Sequence, residues 1–137
     1  LDNFDFNNDY IVIFPGGSYI GKQYSVEGFI AVIDGILSKY KINVVLCGSL
    51  GDSYICNKIL QHIDSKLVSN LSGMTSLIEL SEVIKKSKML LSNDTVAAHF
   101  GLMHDIMTFV ILGGGHFGRF FPYPNELNFK NVNIFRI

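Results

Sequence analysis

The glycines near the end of the sequence have the spacing of a dinucleotide-binding fingerprint. Gly113, Gly115 and Gly118 spell G-x-G-x-x-G directly after an apolar run. A true fingerprint needs a helix that opens on these glycines and an acidic residue about 20 residues further along. Pro122 and Pro124 interrupt the stretch where helical backbone would be required. The sequence therefore argues against an NAD site at this position.

A second glycine-rich stretch nearly matches a phosphate-binding loop. Gly16 to Lys22 fit G-x-x-x-x-G-K, but Gln23 stands where a P-loop has the Ser or Thr that holds magnesium. A P-loop NTPase is therefore the less favoured alternative. The stretch can still bind an anion, because Gly16 and Gly17 expose backbone N–H groups, Ser18 adds a hydroxyl and Lys22 adds a positive charge. The other interpretation is a plain strand-to-helix turn with a solvated lysine.

The most informative polar stretch is LSNDTVAAHF, residues 91–100. A strand is predicted to end there, and Asn93 and Asp94 can cap the helix that follows. The backbone N–H groups of residues 95–97 then form an anion site at the helix N-terminus, with His99 one turn deeper on the same face. Because an aspartate repels a phosphate, Asp94 is better suited to sugar hydroxyls. The alternative is that Asp94 only caps and His99 is a core histidine.

Two shorter segments have the composition of base- and ribose-binding loops. Gly48 and Ser49 follow the second predicted strand, while Thr75 and Ser76 precede the third predicted helix. Met74 adds an apolar surface, although a methionine at such a position is more often a core residue.

Metal, nucleic-acid and membrane functions find little support in the composition. His99 and His104 are five residues apart rather than four, and Cys47 and Cys56 lack C-x-x-C spacing, so no metal site is expected. The formal net charge of −1 gives no reason to expect a nucleic-acid partner. No apolar run is long enough for a transmembrane helix and no signal peptide is visible. We therefore expect a cytoplasmic protein.

Apolar runs alternate with amphipathic stretches along the chain, which is typical of a parallel sheet with helical crossovers. The predicted strands are Tyr10–Phe14, Ile42–Cys47, a short one near Leu67–Val68, Met89–Leu91, Ile106–Leu112 and an edge strand at Val132–Phe135. The predicted helices are Val26–Tyr40, Asp52–Ile63, Ser76–Ser87 with a capping box from Ser76 to Glu79, and Asp94–His104.

These elements predict an α/β protein: a three-layer, Rossmann-like parallel sheet with helices on both faces. Residues 10–137 would form this domain, and the polar residues 1–9 would be a linker from a preceding domain. Because the chain begins with Leu1 rather than Met, we expect it to be a piece of a longer protein. Ligands of such sheets bind beyond the carboxyl ends of the strands, where the polar and glycine-rich segments fall.

Taken in order, these segments resemble the C-terminal, nucleotide-sugar-binding domain of glycosyltransferase family 9, the heptosyltransferase-like GT-B enzymes. The resemblance runs from Tyr10 to Pro124. The matching pieces are Phe14 to Ser18 with Lys22, Leu46 to Ser49, Leu71 to Leu80, and Ser92 to Thr95 with His99.

The resemblance implies a role for each segment. Ser18 and Lys22 would contact the pyrophosphate of a nucleotide sugar, with the backbone of Thr95 and Val96. Asp94 would contact the donor sugar and His99 would support that site. The adenine-side pocket of the family would fall near the two segments Gly48-Ser49 and Thr75-Ser76. A longer version of a family loop would fold over the donor with Gly114, Gly115, His116 and Arg119, although Arg119 could also be a solvated loop charge.

The same resemblance implies an inverting, metal-independent transfer of a heptose-like or other sugar to a lipopolysaccharide or surface polysaccharide. No cofactor is implied besides the nucleoside-diphosphate sugar, which is the donor substrate. The base that activates the acceptor would belong to a missing N-terminal domain, so no catalytic base is expected here. The piece alone would bind nucleotide weakly and not catalyse, and the full protein would associate peripherally with the inner face of the membrane. Val96 departs from the family pattern, in which glycine often follows the D-T pair. The alternative function is a non-catalytic nucleotide-binding module.

Overall fold

The computed structural model describes residues 5–17, 23–113 and 129–137. The strands in this part of the chain are β1 (Tyr10–Phe14), β2 (Asn43–Leu46), β3 (Val68–Asn70), β4 (Met89–Asn93), β5 (Met107–Leu112) and β6 (Val132–Arg136). They form one sheet in the order β3-β2-β1-β4-β5-β6. Every neighbouring pair is parallel. The predicted Rossmann-like α/β fold is therefore confirmed.

Helices connect the strands, as the alternating pattern predicts. They are α1 (Val26–Lys39), α2 (Ser53–His62), α3 (Leu77–Lys85) and α4 (Val96–Met103), and a short 3-10 turn at Leu50–Asp52 precedes α2. The sequence placed the ends of these elements within a few residues of where they lie. Among the described residues, no helix has both the length and the apolar character needed to span a membrane.

The central strand β1 is buried along its whole length and feeds both faces of the core. Ile11 and Ile13 belong to the apolar cluster beneath α1 and α2. Tyr10 and Val12 belong to the cluster beneath α3, where the Tyr10 hydroxyl donates to the Val83 carbonyl at 2.7 Å. Alternate side chains of a strand point to opposite faces, so one continuous apolar run serves both layers.

The end of β4 differs from the prediction. The strand continues through Ser92 to Asn93, because Asn93 pairs with Ile111 of β5, and α4 begins only at Val96. The sequence placed the start of this helix at Asp94, since asparagine and aspartate are typical caps. Pairing along the sheet overrides that local preference, and the position of Asn93 in the strand is important for the site.

Candidate functional site

A cleft opens where the loops after β1, β2 and β4 meet. Following the chain, β1 leads to β2 on one side, while β4 lies against the other side of β1. In an open parallel sheet, a crevice at such a reversal of strand order is the usual place for a ligand. The cleft has a volume of about 510 Å³ and is lined by Phe14, Gly17, Ser49, Gly51, Asp52, Thr95 and Val96. We call it the carboxyl-edge cleft.

Four of the residues predicted from the sequence line this cleft together: Gly17, Ser49, Thr95 and Val96. They come from three loops that are far apart in the chain, so the topology brings them together. The half-buried Asp94 directly precedes Thr95. Thr75, Ser76 and the half-buried His99 are not among the lining residues.

The predicted ligands Gly16 and Gly48 are described but do not line the cleft, and six others lie outside the described residues. These six are Ser18 and Lys22 of the first loop, and Gly114, Gly115, His116 and Arg119 of the last loop. Their proposed contacts with a diphosphate or sugar stay predictions.

A second cavity, of about 460 Å³, lies on the face of the sheet formed by β4, β5 and β6. Its lining is mainly apolar and includes Leu91, Ile111 and the stacked rings of Phe109 and Phe135. None of the predicted site residues lies there, so the polar chemistry belongs to the carboxyl-edge cleft.

Asp52 is a further polar residue that lines the cleft. It is 9% exposed and joins the loops after β1 and β2. One carboxylate oxygen accepts a hydrogen bond from the Gly17 N–H at 3.2 Å. The other accepts from the Ser49 N–H at 2.8 Å and from the Ser49 hydroxyl at 2.6 Å. The S-x-x-D spacing from Ser49, directly after a strand, is the signal that could have identified it.

The space around Asp52 explains two of the glycines. A Cβ atom at Gly16 would overlap the Asp52 carboxylate, and one at Gly48 would lie 2.7 Å from the Asp52 Cβ. Any larger residue would displace the bridge between the loops. The Gly17 N–H, which the sequence offers to an anion, donates to the Asp52 carboxylate in this structure.

The Asn93 side chain holds the loop after β1 through hydrogen bonds to its backbone. It is 2% exposed, and its Nδ2 donates to the carbonyl oxygens of Pro15 at 2.8 Å and Gly16 at 3.2 Å. Its Oδ1 accepts from the Tyr24 N–H at 3.1 Å. The prediction that Asn93 caps the following helix is therefore wrong. Nothing in the local sequence indicates this role, because its partners are 69 to 78 residues away.

The N-terminus of α4 opens on the cleft. Thr95 is the N-cap residue, but its side chain does not cap the helix, and its hydroxyl lies 2.9 Å from the Ser92 hydroxyl instead. The first turn contains no acidic residue. Asp94 is likewise not the cap that the sequence suggested. Val96, the first helical residue, is 42% exposed and lines the cleft. The backbone N–H groups at such a helix start suit an anion.

Helix α3 begins differently, with the predicted capping box. The Ser76 side chain accepts from the Glu79 N–H at 3.3 Å, while the Ser76 N–H donates to the Glu79 carboxylate at 2.7 Å. The bonds that the Ser76 N–H and the Ser76 hydroxyl donate to the ionised carboxyl hold the pKa of Glu79 below its ordinary value. The Ser76 hydroxyl also donates to Glu79, at 2.8 Å, so it already has a partner at the site where the sequence predicted a base contact.

Few side chains among the described residues could act as a nucleophile or bind a metal ion. Burial raises the pKa of the Cys47 thiol to about 12 and that of Cys56 to about 11, so neither is a thiolate at neutral pH. His104 lies 2.7 Å from the Ser81 hydroxyl, between α3 and α4. The described ranges contain no cluster of three side chains that could hold a metal ion.

Comparison with known proteins agrees with this arrangement. The family model of glycosyltransferase family 9 (heptosyltransferase) matches residues 1–104. The lipopolysaccharide core heptosyltransferase OpsX of Haemophilus influenzae is 32% identical over 99 residues, which are 69% of this chain and 27% of that protein. The chain thus spans about a quarter of the length of this relative.

Solved structures share the fold. The ADP-heptose lipopolysaccharide heptosyltransferase II of E. coli superposes with a TM-score of 0.86 at 19% identity, covering 99% of this chain and 40% of that one. The E. coli heptosyltransferase WaaC with ADP gives 0.79 at 21% identity, covering 94% and 38%. The family match spans well over half of the chain, as the ordered motifs predicted. The chain belongs to glycosyltransferase family 9.

Proposed function

We propose that this chain is the donor-binding domain of an inverting glycosyltransferase. The enzyme would transfer a heptose-like sugar from a nucleoside-diphosphate sugar to a lipopolysaccharide or surface polysaccharide. The observation that carries the proposal is the carboxyl-edge cleft: it lies at the reversal of strand order, and the start of α4 opens on it without a side-chain cap. Family membership supports the reaction class.

In this proposal the diphosphate lies against the start of α4. The N–H groups of residues 95–97 and the helix dipole would stabilise it, and Ser18 and Lys22 would add a hydroxyl and a positive charge. As the bond to the anomeric carbon breaks, negative charge develops on the leaving diphosphate. Donors fixed in position before the reaction stabilise that charge without a metal ion. Asp94 would accept hydrogen bonds from sugar hydroxyls, supported by His99.

The base of the nucleotide would lie on the β2 side of the cleft. Ser49 lines the cleft there, and Met74, which is 58% exposed, would add an apolar surface. Gly48, Thr75 and Ser76 would complete this side. A soft apolar side chain beside polar groups suits a base and ribose.

The other half of the reaction would come from another domain. The acceptor hydroxyl attacks the anomeric carbon, its proton passes to a general base, and the nucleoside diphosphate leaves, so the configuration inverts. We place that base outside this chain. This chain alone would then bind nucleotide weakly and not catalyse transfer. We further propose that the full protein works in the cytoplasm, peripherally at the inner membrane face.

The test is donor use by the full-length protein that contains this chain. Lys22→Ala and Asp94→Ala should each lower kcat/KM for the donor by roughly tenfold or more, because each removes a charged or polar ligand. Lys66→Ala and Asp64→Ala are matched controls, since both residues are exposed in the α2–β3 connection at the opposite edge of the sheet. Unchanged turnover in both Lys22→Ala and Asp94→Ala would contradict the site. Magnesium-dependent ATP hydrolysis would favour the P-loop alternative.

A further inference from the structure

The peptide bond between Gly16 and Gly17 is held from two sides. Its carbonyl oxygen, on Gly16, accepts from Asn93 Nδ2 at 3.2 Å, and its N–H, on Gly17, donates to Asp52 Oδ1 at 3.2 Å. The two groups of a trans peptide point in opposite directions. These two contacts together therefore fix the orientation of the peptide plane. The next carbonyl, on Gly17, accepts from Gln23 Nε2 at 2.6 Å.

Asn93 does more than hold this one peptide. The same side chain contacts the backbone before residues 18–22, at the Pro15 carbonyl, and after them, at the Tyr24 N–H. These contacts need a donor and an acceptor, and the two ends of one side-chain amide supply them. With 2% exposure, the amide makes these bonds with little competition from water.

Position in the sheet links this amide to the cleft. Asn93 is the last residue of β4 and stands two residues before Thr95. Thr95 forms one wall of the carboxyl-edge cleft and Gly17 another. The amide therefore joins two residues that line the cleft of the proposed diphosphate, although it is not itself among the lining residues.

We propose that Asn93 is a positioning residue for the nucleotide-sugar donor: by holding the Gly16–Gly17 peptide, it sets the distance between the two walls of the carboxyl-edge cleft. This inference rests on the proposed function, because it names the residue that shapes the same site. Asn93 acts through Gly17 and not by touching the donor.

A purely structural asparagine would change stability alone, so the test needs a control that loses stability elsewhere. Ser87→Ala provides it. The Ser87 hydroxyl is 6% exposed and donates to the Ile84 carbonyl at 2.7 Å, between α3 and the start of β4, at the opposite end of that strand from the cleft. Both changes remove a buried hydrogen bond, but only one of them is beside the cleft.

The first measurement is calorimetric titration of this chain with ADP as the probe, well below the unfolding midpoint of every variant. Asn93→Ser is the decisive variant, because its hydroxyl is too short to reach both partners. Asn93→Asp keeps the acceptor and the shape but loses the donor. We expect the Kd for ADP to rise by about tenfold in Asn93→Ser, the scale of one or two lost hydrogen bonds, and to stay unchanged in Ser87→Ala.

The second measurement is amide hydrogen exchange at Gly17, followed by NMR without any ligand. Exchange should be at least about tenfold faster in Asn93→Ser than in the unchanged chain or in Ser87→Ala, because the peptide is no longer held from both sides. Unchanged exchange at Gly17 would overturn the inference. Faster exchange with unchanged ADP affinity would overturn its link to the donor. If the unchanged chain binds no nucleoside diphosphate, the proposed function fails, and the donor role of Asn93 fails with it.

Discussion

Helices α3 and α4 both begin at the carboxyl edge of the sheet, yet their N-termini are satisfied in different ways. At α3, the side chains of Ser76 and Glu79 each accept a hydrogen bond from the other residue's backbone N–H. These N–H groups at the start of the helix therefore have partners within its first turn. At α4, the side chain of Thr95 does not cap the helix and bonds to Ser92 instead. Asn93, two residues before Thr95, donates a hydrogen bond to the Pro15 carbonyl in the loop after β1.

The difference separates a structural helix start from one that can serve a ligand. The capping box at α3 leaves little demand for an outside anion, because the carboxylate of Glu79 already supplies it. The start of α4 borders a cleft and has no acidic residue in its first turn. In the proposed function, an anion from outside takes the place at α4 that the Glu79 carboxylate takes at α3.

The largest effect on folding is expected at the glycines beside the α4 cleft. Gly16→Ala should lower the free energy of unfolding by about 2 kcal/mol, because the new methyl overlaps the held carboxylate of Asp52. Gly35→Ala is the control: a Cβ there meets nothing within 4 Å, on an exposed part of α1, so the gain should be about 0.5–1 kcal/mol. Urea unfolding measures both. A neutral Gly16→Ala would show that the Asp52 bridge is not fixed.

A charge placed at each helix start tests the comparison directly. Val96→Glu puts a carboxylate at the cleft and should weaken ADP binding by about tenfold or more, through repulsion of the diphosphate. Leu77→Glu makes the matching change at α3, where the first helical residue is 62% exposed, and should leave binding unchanged. Equal effects of the two variants on the Kd for ADP would remove the distinction between the helix starts.

Loss of the capping box should lower the stability by less than the Gly16→Ala change does. Ser76→Ala should cost about 1 kcal/mol of stability, because the Glu79 N–H loses its partner. Ser38→Ala makes the same chemical change inside α1, where the hydroxyl bonds only to the Asp34 carbonyl one turn back, and should be neutral or slightly stabilising. The urea unfolding midpoints of the two variants measure this difference. Equal midpoints would mean that the loss of stability does not depend on the N-cap position of the serine.

The smallest effect is the pH dependence of the α3 start. The bonds from Ser76 lower the pKa of Glu79 from its ordinary value of 4.5. A lowered pKa in the folded state means that the stabilisation is present above pH 4.5 and is lost as the pH falls through the folded value. An NMR titration of the Glu79 side chain should show the lowered pKa, and Ser76→Ala should return it toward 4.5. An unshifted titration in the unchanged chain would mean that the box does not form in solution.

The same comparison shows what could be predicted from the sequence. The capping box was predictable, since serine and glutamate three residues apart are a local signature. The strands were predictable from apolar runs, and β1 is an example in which every residue is buried. The family was predictable from the order of its motifs.

The role of Asn93 was not predictable, and that of Asp52 was predictable only for its local bonds to Ser49, because the other contacts depend on tertiary structure. A local preference places Asn93 at a helix cap, but sheet pairing with Ile111 makes it the end of a strand, and its partners are far along the chain. Asp52 bonds to Ser49, which is close in sequence, and to Gly17, which is not. Four of the predicted residues line the cleft, but the contacts of the side chains that hold its walls are set by the fold.

The most direct test of the central claim is a titration of this chain with ADP, GDP, UDP and CDP, with and without magnesium, followed by the unfolding midpoint. A ligand that binds only the folded state raises that midpoint as its concentration exceeds the Kd. We expect selective stabilisation by one diphosphate that does not depend on magnesium. Stabilisation that requires magnesium, or none by any of the four at millimolar concentration, would contradict it.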